Sequence, residues 1–426
     1  MKINDIKKEY KKIFYIEDDR VIDVLTATVL GTWTKTEPIW LLLVGASSGG
    51  KSELINMFGK VKGLHYVDEL TEASFLSGLN QEGASLLDRI GNIGCLAMKD
   101  FTSILNMRPD KREIIIGQMR HIYDGKISKI TGNNKNPTWV GKVNFIGGVT
   151  DSVYTVGESS SDMGRRTINY YLPTQNRQIT TSYAKQNKKR GGMAKRREYI
   201  QDLMSEYMEE MKNNLPAVLP DIPKEQAANI TTLSDFCTQA RTPVQRNFQG
   251  EVILVNDFEM PMRVDGQAMA IAEVIAFMYD EQVPKEVQEI PYQICLHSIP
   301  KQRLIALKKL TEYENVTTNG LATHLNYPTN TVARWLEDLN AVEIVVREID
   351  SITKMNIWSL KPEYKSLMIK FGGIKPKEEK LRENTNVDSS SEVFEDMDPG
   401  TLLEMSKNNN NEAEAIFDAL NSDDDW

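Results

Sequence analysis

At 426 residues, 40% hydrophobic and 26% charged, the chain is long enough for two or three domains and has the composition of a folded one. None of its apolar runs reaches the length of a membrane span, and the opening Met1-Lys2-Ile3-Asn4-Asp5 is no secretory signal, so no membrane partner and a cytoplasmic setting are expected. The net charge of −9 is unevenly held: residues 374–426 carry 15 acidic and 5 basic residues, leaving 45 and 46 over the rest, so the body is nearly neutral and nucleic acid is not excluded as a partner.

In chain order, residues 5–32 read as helix, with Val21, Val24 and Leu25 in an apolar stripe. Ile39 to Val44 is an uninterrupted apolar run of the kind that forms a buried strand. It leads into Gly45-Ala46-Ser47-Ser48-Gly49-Gly50-Lys51-Ser52, which matches the phosphate-loop pattern at every required position, and Glu53 to Phe58 opens a helix. In that setting backbone N–H groups converge on an anion. Lys51 is then placed for the outer phosphates of a nucleotide and the Ser52 hydroxyl for magnesium, with the preceding helix over the adenine side. ATP and Mg2+ are the expected cofactors.

Leu64 to Val67 reads as a second strand, and Thr71 to Leu76 as a helix start. A third strand, Ile93 to Met98, runs into Asp100, a carboxylate placed for the metal's water shell or for the attacking water; the spacing leaves the two open, and the usual pair of adjacent acids is absent. Arg112 to Tyr123 reads as helix. Residues 126–142 read as a β-hairpin around an Asn-rich turn, carrying Lys126, Lys129 and Lys135. Val143 to Val149 follows as a strand ending in Thr150-Asp151, polar groups where ligands bind in open α/β sheets. Arg165 and Arg166 precede a last short strand and are spaced to act as an arginine finger, although two solvated arginines leave the same trace.

Taken together, these elements resemble an AAA+ ATPase, and the hairpin before the sensor strand is similar to that of the minichromosome-maintenance and viral replicative helicases. The chain looks most like the small replication ATPases of phages and mobile elements that end in a winged helix, which places it in a bacterial host's cytoplasm. The resemblance implies an α/β phosphate-loop core at 1–180, a basic linker at 181–197, a helical lid at 198–298, a winged helix at 299–373 and a disordered acidic tail at 374–426. It implies a homo-oligomeric ring, expected to be a hexamer, with Lys51, Ser52, Asp100 and Thr150 or Asp151 of one subunit facing Arg165 or Arg166 of the next, and the hairpin lining a pore for DNA. Arg241 or Arg263 is expected as the lid's phosphate-sensing arginine.

The run Lys185 to Arg197 holds seven basic residues and no acid, which suits a solvated linker or phosphate contact equally. Residues 198–290 read as mostly helical. In the last domain, 301–313, a start at 317 and 328–336 give helix-turn-helix spacing, with Asn330, Thr331 and Arg334 facing outward for DNA and a wing carrying Arg347 and Lys354. Glu337 and Asp338 on the same helix oppose phosphate. Cys95, Cys237, Cys295 and the four histidines make no metal-ligand spacing. The tail ends Asp423-Asp424-Asp425-Trp426, suited to masking a basic surface or recruiting another replication protein. The expected function is a DNA translocase or helicase in replication or recombination; a helicase loader or initiator, or a nucleotide-switched winged-helix regulator, are the alternatives.

Overall fold

The computed structural model describes residues 1–77, 83, 85–130, 136–151, 165–189 and 192–377. Two helices, α1 (Ile3–Ile13) and α2 (Arg20–Leu30), precede β1 (Trp40–Val44), which runs through a loop into α3 (Lys51–Asn56). Next come β2 (Leu64–Tyr66), α4 (Leu86–Ile90), β3 (Ile93–Met98), α5 (Thr102–Leu105) and α6 (Pro109–Tyr123). A hairpin of β4 (Lys126–Ser128) and β5 (Thr138–Val140) leads into β6 (Lys142–Val149), and β7 (Ile168–Tyr171) closes the core.

The central sheet is parallel throughout, in the order β2-β3-β6-β1-β7. β1 shows why its sequence is apolar without alternation. Trp40, Leu42 and Val44 enter one core and Leu41 and Leu43 the other, so both faces are covered, as parallel sheets require. Asn144, at the centre of β6, is tolerated because its side chain accepts from the Ile39 amide (3.0 Å) and donates to the Thr28 carbonyl (2.7 Å). The hairpin forms where it was expected, with Ile127 and Trp139 buried and Lys126 and Val140 outward. Its tip, including Lys135, lies outside the described residues.

The helical region departs from expectation in two places. The described parts of the basic stretch read as a linker, apart from Gly192, lie in two helices, α7 (Arg177–Lys189) and α8 (Met193–Asn213), because Lys, Gln and Arg are good helix formers and the run contains no proline. After α9 (Lys224–Ala240) the chain forms an unexpected antiparallel hairpin, β8 (Val244–Arg246) with β9 (Val252–Val255), before α10 (Met262–Met278), α11 (Lys285–Gln288) and α12 (Ile290–His297). The expected helix at 5–32 is two helices, and 71–76 forms turns.

The last domain is α13 (Lys301–Glu312), β10 (Val316–Thr317), α14 (Thr318–Leu325), α15 (Thr329–Ala341), β11 (Val345–Ile349), β12 (Asn356–Leu360) and α16 (Pro362–Gly372). Its strands form an antiparallel sheet in the order β10-β12-β11, and Val332, Leu336 and Leu339 of α15 are buried as expected. Residues 378–426, nearly all of the acidic tail, lie outside the described residues. Among the described residues no helix is long and apolar enough to cross a membrane.

β7 is an edge strand, and edges expose unpaired N–H groups. Here the end of α12 covers them. The Asn169 amide donates to Ser298 Oγ and the Tyr171 amide to His297 Nδ1, both at 3.1 Å. The imidazole must be neutral at Nδ1 to accept, and burial against Tyr170 and Tyr171, aided by Lys308, pushes its pKa down to about 3. An unfolded histidine titrates near about 6.5, so between these values the unfolded chain binds more protons. This contribution to stability is complete above the unfolded value and is lost as pH falls toward the folded one. In His297→Asn, whose amide oxygen can accept the same bond, urea midpoints at pH 7 and pH 5 should differ less than in the wild type. An equal fall in both proteins would remove His297 from the acid response.

Candidate nucleotide site

The phosphate loop springs from the middle of the sheet. The Gly45 amide donates to the Val149 carbonyl of β6 (3.1 Å), and the Leu172 amide, just past β7, donates to the Val44 carbonyl (2.8 Å). The loop then turns through Ser48 (φ 60°) and Gly50 (φ 85°), left-handed conformations that a side chain resists. A Cβ on Gly49 would stand 2.9 Å from the Ala46 carbonyl oxygen, and one on Gly50 3.1 Å from Gln175 Nε2. Backbone thus packs against backbone at Gly49 and against the Gln175 side chain at Gly50, so a side chain at either position would crowd the turn.

Lys51 opens α3 and is buried, at 8% exposure. Its ammonium donates back to the carbonyls of Gly45 (2.7 Å) and Ala46 (2.6 Å), arching over the loop. Burial lowers its pKa, while Asp100 and Asp151 oppose the shift, so both acids lie within electrostatic range of the ammonium. Because β6 lies between β1 and β3, the three carboxyl ends converge. The Phe101 amide donates to the Gly148 carbonyl (2.8 Å), and the Thr150 amide to Thr102 Oγ1 (3.1 Å). Asp100 and Ser52 are exposed at the same edge. Asp151 pairs with Lys301, at the start of α13 (2.5 Å).

The donor set fits a polyphosphate: an amide-lined turn, a buried cation and carboxylates at the rim. Among the described residues no three or more His, Cys, Asp or Glu side chains gather to hold a metal. Magnesium does not need such a cage, since it keeps several waters and takes one or two protein ligands beside phosphate oxygens. Ser52 and Asp100 suit that role.

Beside the loop opens a cavity of about 170 Å3 lined by Tyr10, Phe14, Tyr15, Ser48, Gln175 and Tyr183. Its floor is the end of α1, the segment expected to cover the base. Tyr15 and Tyr183 stand 6.1 Å apart with their rings inclined at 51°, and Gln175 Nε2 donates to the Gly49 carbonyl (3.3 Å). Gln175 and Tyr183 escaped the sequence reading because they sit more than 120 positions beyond the loop and belong to no motif. Glu53, behind the loop, is held by Arg197 (2.8 Å from Nε). That pair takes up one charge of the basic run.

The four candidate arginines lie elsewhere. β7 runs parallel to β1, with Ile168 beside Leu41 and Tyr171 beside Val44. Arg166 is therefore six residues before Leu172, which touches the loop, or about 20 Å away at strand rise. Arg165 and Arg166 are at the amino edge of the sheet, and Arg166 is paired with Asp124 (3.0 Å). Neither reaches the phosphate loop of its own chain.

Arg241 and Arg263, expected in the lid as phosphate sensors, are at that same edge. Arg241 is half-buried with its side chain largely covered, bonded to Glu259 (2.9 and 2.8 Å) and to the carbonyls of Thr167 (3.2 Å) and Arg165 (3.3 Å). It serves as a brace for the 165–167 segment, with all three guanidinium nitrogens engaged within the chain. Arg263 is exposed on the first turn of α10. That turn sits by the amino end of β1, where Gln267 joins the Arg263 carbonyl (3.2 Å) to the Trp40 amide (2.8 Å).

On the last domain Asn330, Arg334 and Lys354 are all exposed. The acids that oppose phosphate on α15 are taken up: Arg246 of β8 bonds Glu337 (2.8 Å) and Asp338 (2.7 Å), and buried Arg303 also reaches Asp338 (3.3 Å). Lys126 is exposed and Lys129 half-buried at the base of the β4–β5 hairpin.

The architecture is thus α/β, a parallel sheet with a glycine-containing turn of phosphate-loop sequence at its carboxyl edge. Compared with protein-family models and with curated protein sequences, the chain matches none.

If the aromatic cavity holds the base, Tyr183→Ala should weaken nucleotide binding about fivefold, the equivalent of about 1 kcal/mol of ring packing. The loss should be the same for ADP and ATP, because their base ends are identical. Titration with a fluorescent analogue of each decides it, and an effect confined to ATP would move the residue to the phosphate end.

Proposed function

We propose that the chain is an AAA+ ATPase that assembles head to tail into a ring, expected to be hexameric, and translocates on or unwinds DNA in replication or recombination. One observation carries this reading: the phosphate loop and the paired arginines occupy opposite ends of a parallel sheet. A complete hydrolytic site then needs the carboxyl edge of one copy and the amino edge of another. The insertion of β6 between β1 and β3, and the hairpin immediately before β6, support the resemblance to ring helicases.

In this reading Lys51 neutralises the outer phosphates, and Ser52 and Asp100 complete the shell of the magnesium. Bound ATP supplies the phosphoanhydride bond. Thr150, just past the strand that lies between those leading to Lys51 and Asp100, would orient water. Arg165 or Arg166 enters from the neighbour, where a cation stabilises charge on a transferring phosphoryl group. Asn330 and Arg334 on α15 and Lys354 on the wing would meet DNA, since the acids behind them are neutralised within the protein. Lys126 and Lys129 sit at the base of the hairpin that would face the strand in the pore.

The pair between Asp151 and Lys301 favours a second reading, the nucleotide-switched winged-helix regulator. It joins the phosphate edge directly to the first helix of the last domain, so a nucleotide that engages Asp151 would release α13. In that case DNA affinity should differ between ATP and ADP in the wild type, and Lys301→Ala should abolish the difference without a DNA-stimulated ATPase rate.

Lys51→Ala should abolish hydrolysis, and turnover near the wild-type rate would refute the site. Arg166→Ala should still bind ATP while its rate falls roughly a thousandfold, the order a catalytic arginine contributes. Mixing the two variants should restore part of the rate, because one interface in the mixture unites an intact loop with an intact arginine. Should Arg165→Ala alone show this behaviour, the finger is Arg165; absence of rescue for both would mean that neither acts across subunits.

A further inference from the structure

The loop from Gly45 to Lys51 contains one bond between two glycines, Gly49–Gly50. Turning a peptide plane over changes ψ of the residue before it and φ of the residue after it. Glycine on both sides leaves that rotation with little steric resistance. The neighbouring planes are held by the backbone itself. The Gly49 amide donates to the Ala46 carbonyl (3.1 Å), which fixes the plane before, and the Gly50 carbonyl accepts from the Leu54 amide in α3 (3.0 Å), which fixes the plane after. The Gly49–Gly50 plane takes its hydrogen bond from far along the chain: Gln175 Nε2 donates to the Gly49 carbonyl (3.3 Å).

This clamp is itself anchored on both sides. The Leu172 amide donates to the Val44 carbonyl at the end of β1 (2.8 Å). Directly after Gln175, the Asn176 side chain accepts from the Gln178 (3.0 Å) and Ile179 (3.3 Å) amides and so starts α7. The facing carbonyl requires the amide nitrogen of Gln175 on the loop side, which turns its oxygen toward the Thr180 hydroxyl, 3.5 Å away. Gly50 leaves room for the arrangement, since a Cβ there would stand 3.1 Å from Nε2.

We infer that Gln175 is a positioning residue for the phosphates of a bound nucleotide. In a trans peptide the C=O and N–H point in opposite directions. A donor on the Gly49 carbonyl therefore turns the Gly50 amide away from Gln175 and presents it to the anion. Without the clamp, the plane can turn over and offer a carbonyl oxygen where a donor is needed. The inference rests on the nucleotide site proposed above and concerns its phosphate end. Thr180 and Tyr183, further along α7, line the cavity for the base, whereas Gln175 acts through the loop.

The test compares the wild type with Gln175→Met, which keeps the length of the side chain and cannot donate. A fluorescent ADP analogue is displaced by ADP and, separately, by inorganic pyrophosphate. Both should bind the variant about tenfold more weakly, the order of one hydrogen bond, whereas Tyr183→Ala should weaken ADP alone. In turnover assays KM for ATP should rise by the same factor, with a smaller change in kcat. The same losses are expected of Gln175→Asn, whose amide is one methylene short of the loop, so the result does not hang on one substitution being tolerated. Equal affinities in both variants and the wild type overturn the inference. A loss for ADP with none for pyrophosphate also overturns it, by assigning Gln175 to the base cavity alone. A wild type that binds neither ligand would strike the phosphate site itself, and the clamp with it.

Discussion

Parallel alignment of β1, β3, β6 and β7 is the constraint from which the rest of this molecule follows. In such a sheet all carboxyl ends share one edge, so the loop after β1, the acid after β3 and the threonine after β6 meet although they are up to 105 residues apart. The same alignment sends everything that precedes a strand to the other edge. Arg165 and Arg166 go there because they precede β7, and Arg263 because its helix begins beside the start of β1. An antiparallel β7 would have carried the arginines to the phosphate loop of their own chain.

The helical region at 193–297 and the last domain are held in place by charged groups that are largely withdrawn from water. Arg241 with Glu259, and Arg303 and Arg246 with Asp338, are individually poor sources of stability, because desolvation offsets much of the attraction. Their effect is positional. Arg241 ties the 165–167 backbone to Glu259, just ahead of α10, and Arg246 sets the β8–β9 ribbon against α15. The Asp151–Lys301 pair and the His297 and Ser298 bonds to β7 connect the sheet to α12 and α13, so a change at its carboxyl edge has physical routes into the helical region and the last domain.

Local chemistry and burial were legible in the chain to different degrees. The loop from Gly45 to Ser52 could be read because tight turns, an amide cradle and a buried lysine demand particular residues at fixed spacing. The apolar run of β1 and the triplet Val332, Leu336 and Leu339 could be read because periodicity reports which faces are covered. The β8–β9 ribbon was readable in principle: Val252-Ile253-Leu254-Val255 follows a Gly-containing turn, but it lies between helices and was absorbed into them. In the basic run, charge gave no sign of the helices at Arg177–Lys189 and Met193–Asn213, which follow from helix propensity.

What the sequence determined by itself was therefore the inventory: a loop of phosphate-loop pattern on a buried strand, a hairpin before the fourth core strand, paired arginines and a last domain of short helices and strands. Only the tertiary structure decided how these parts face one another. It used Arg241 as a brace, placed Arg263 at the amino edge, brought Gln175 and Tyr183 to the cavity beside the loop and neutralised Glu337 and Asp338 with arginines far away in the chain. The reason is physical. Spacing along a helix or strand encodes the near neighbours of a residue, whereas the partner of a buried charge and the end of the sheet it reaches depend on strand order and direction, which no local pattern records.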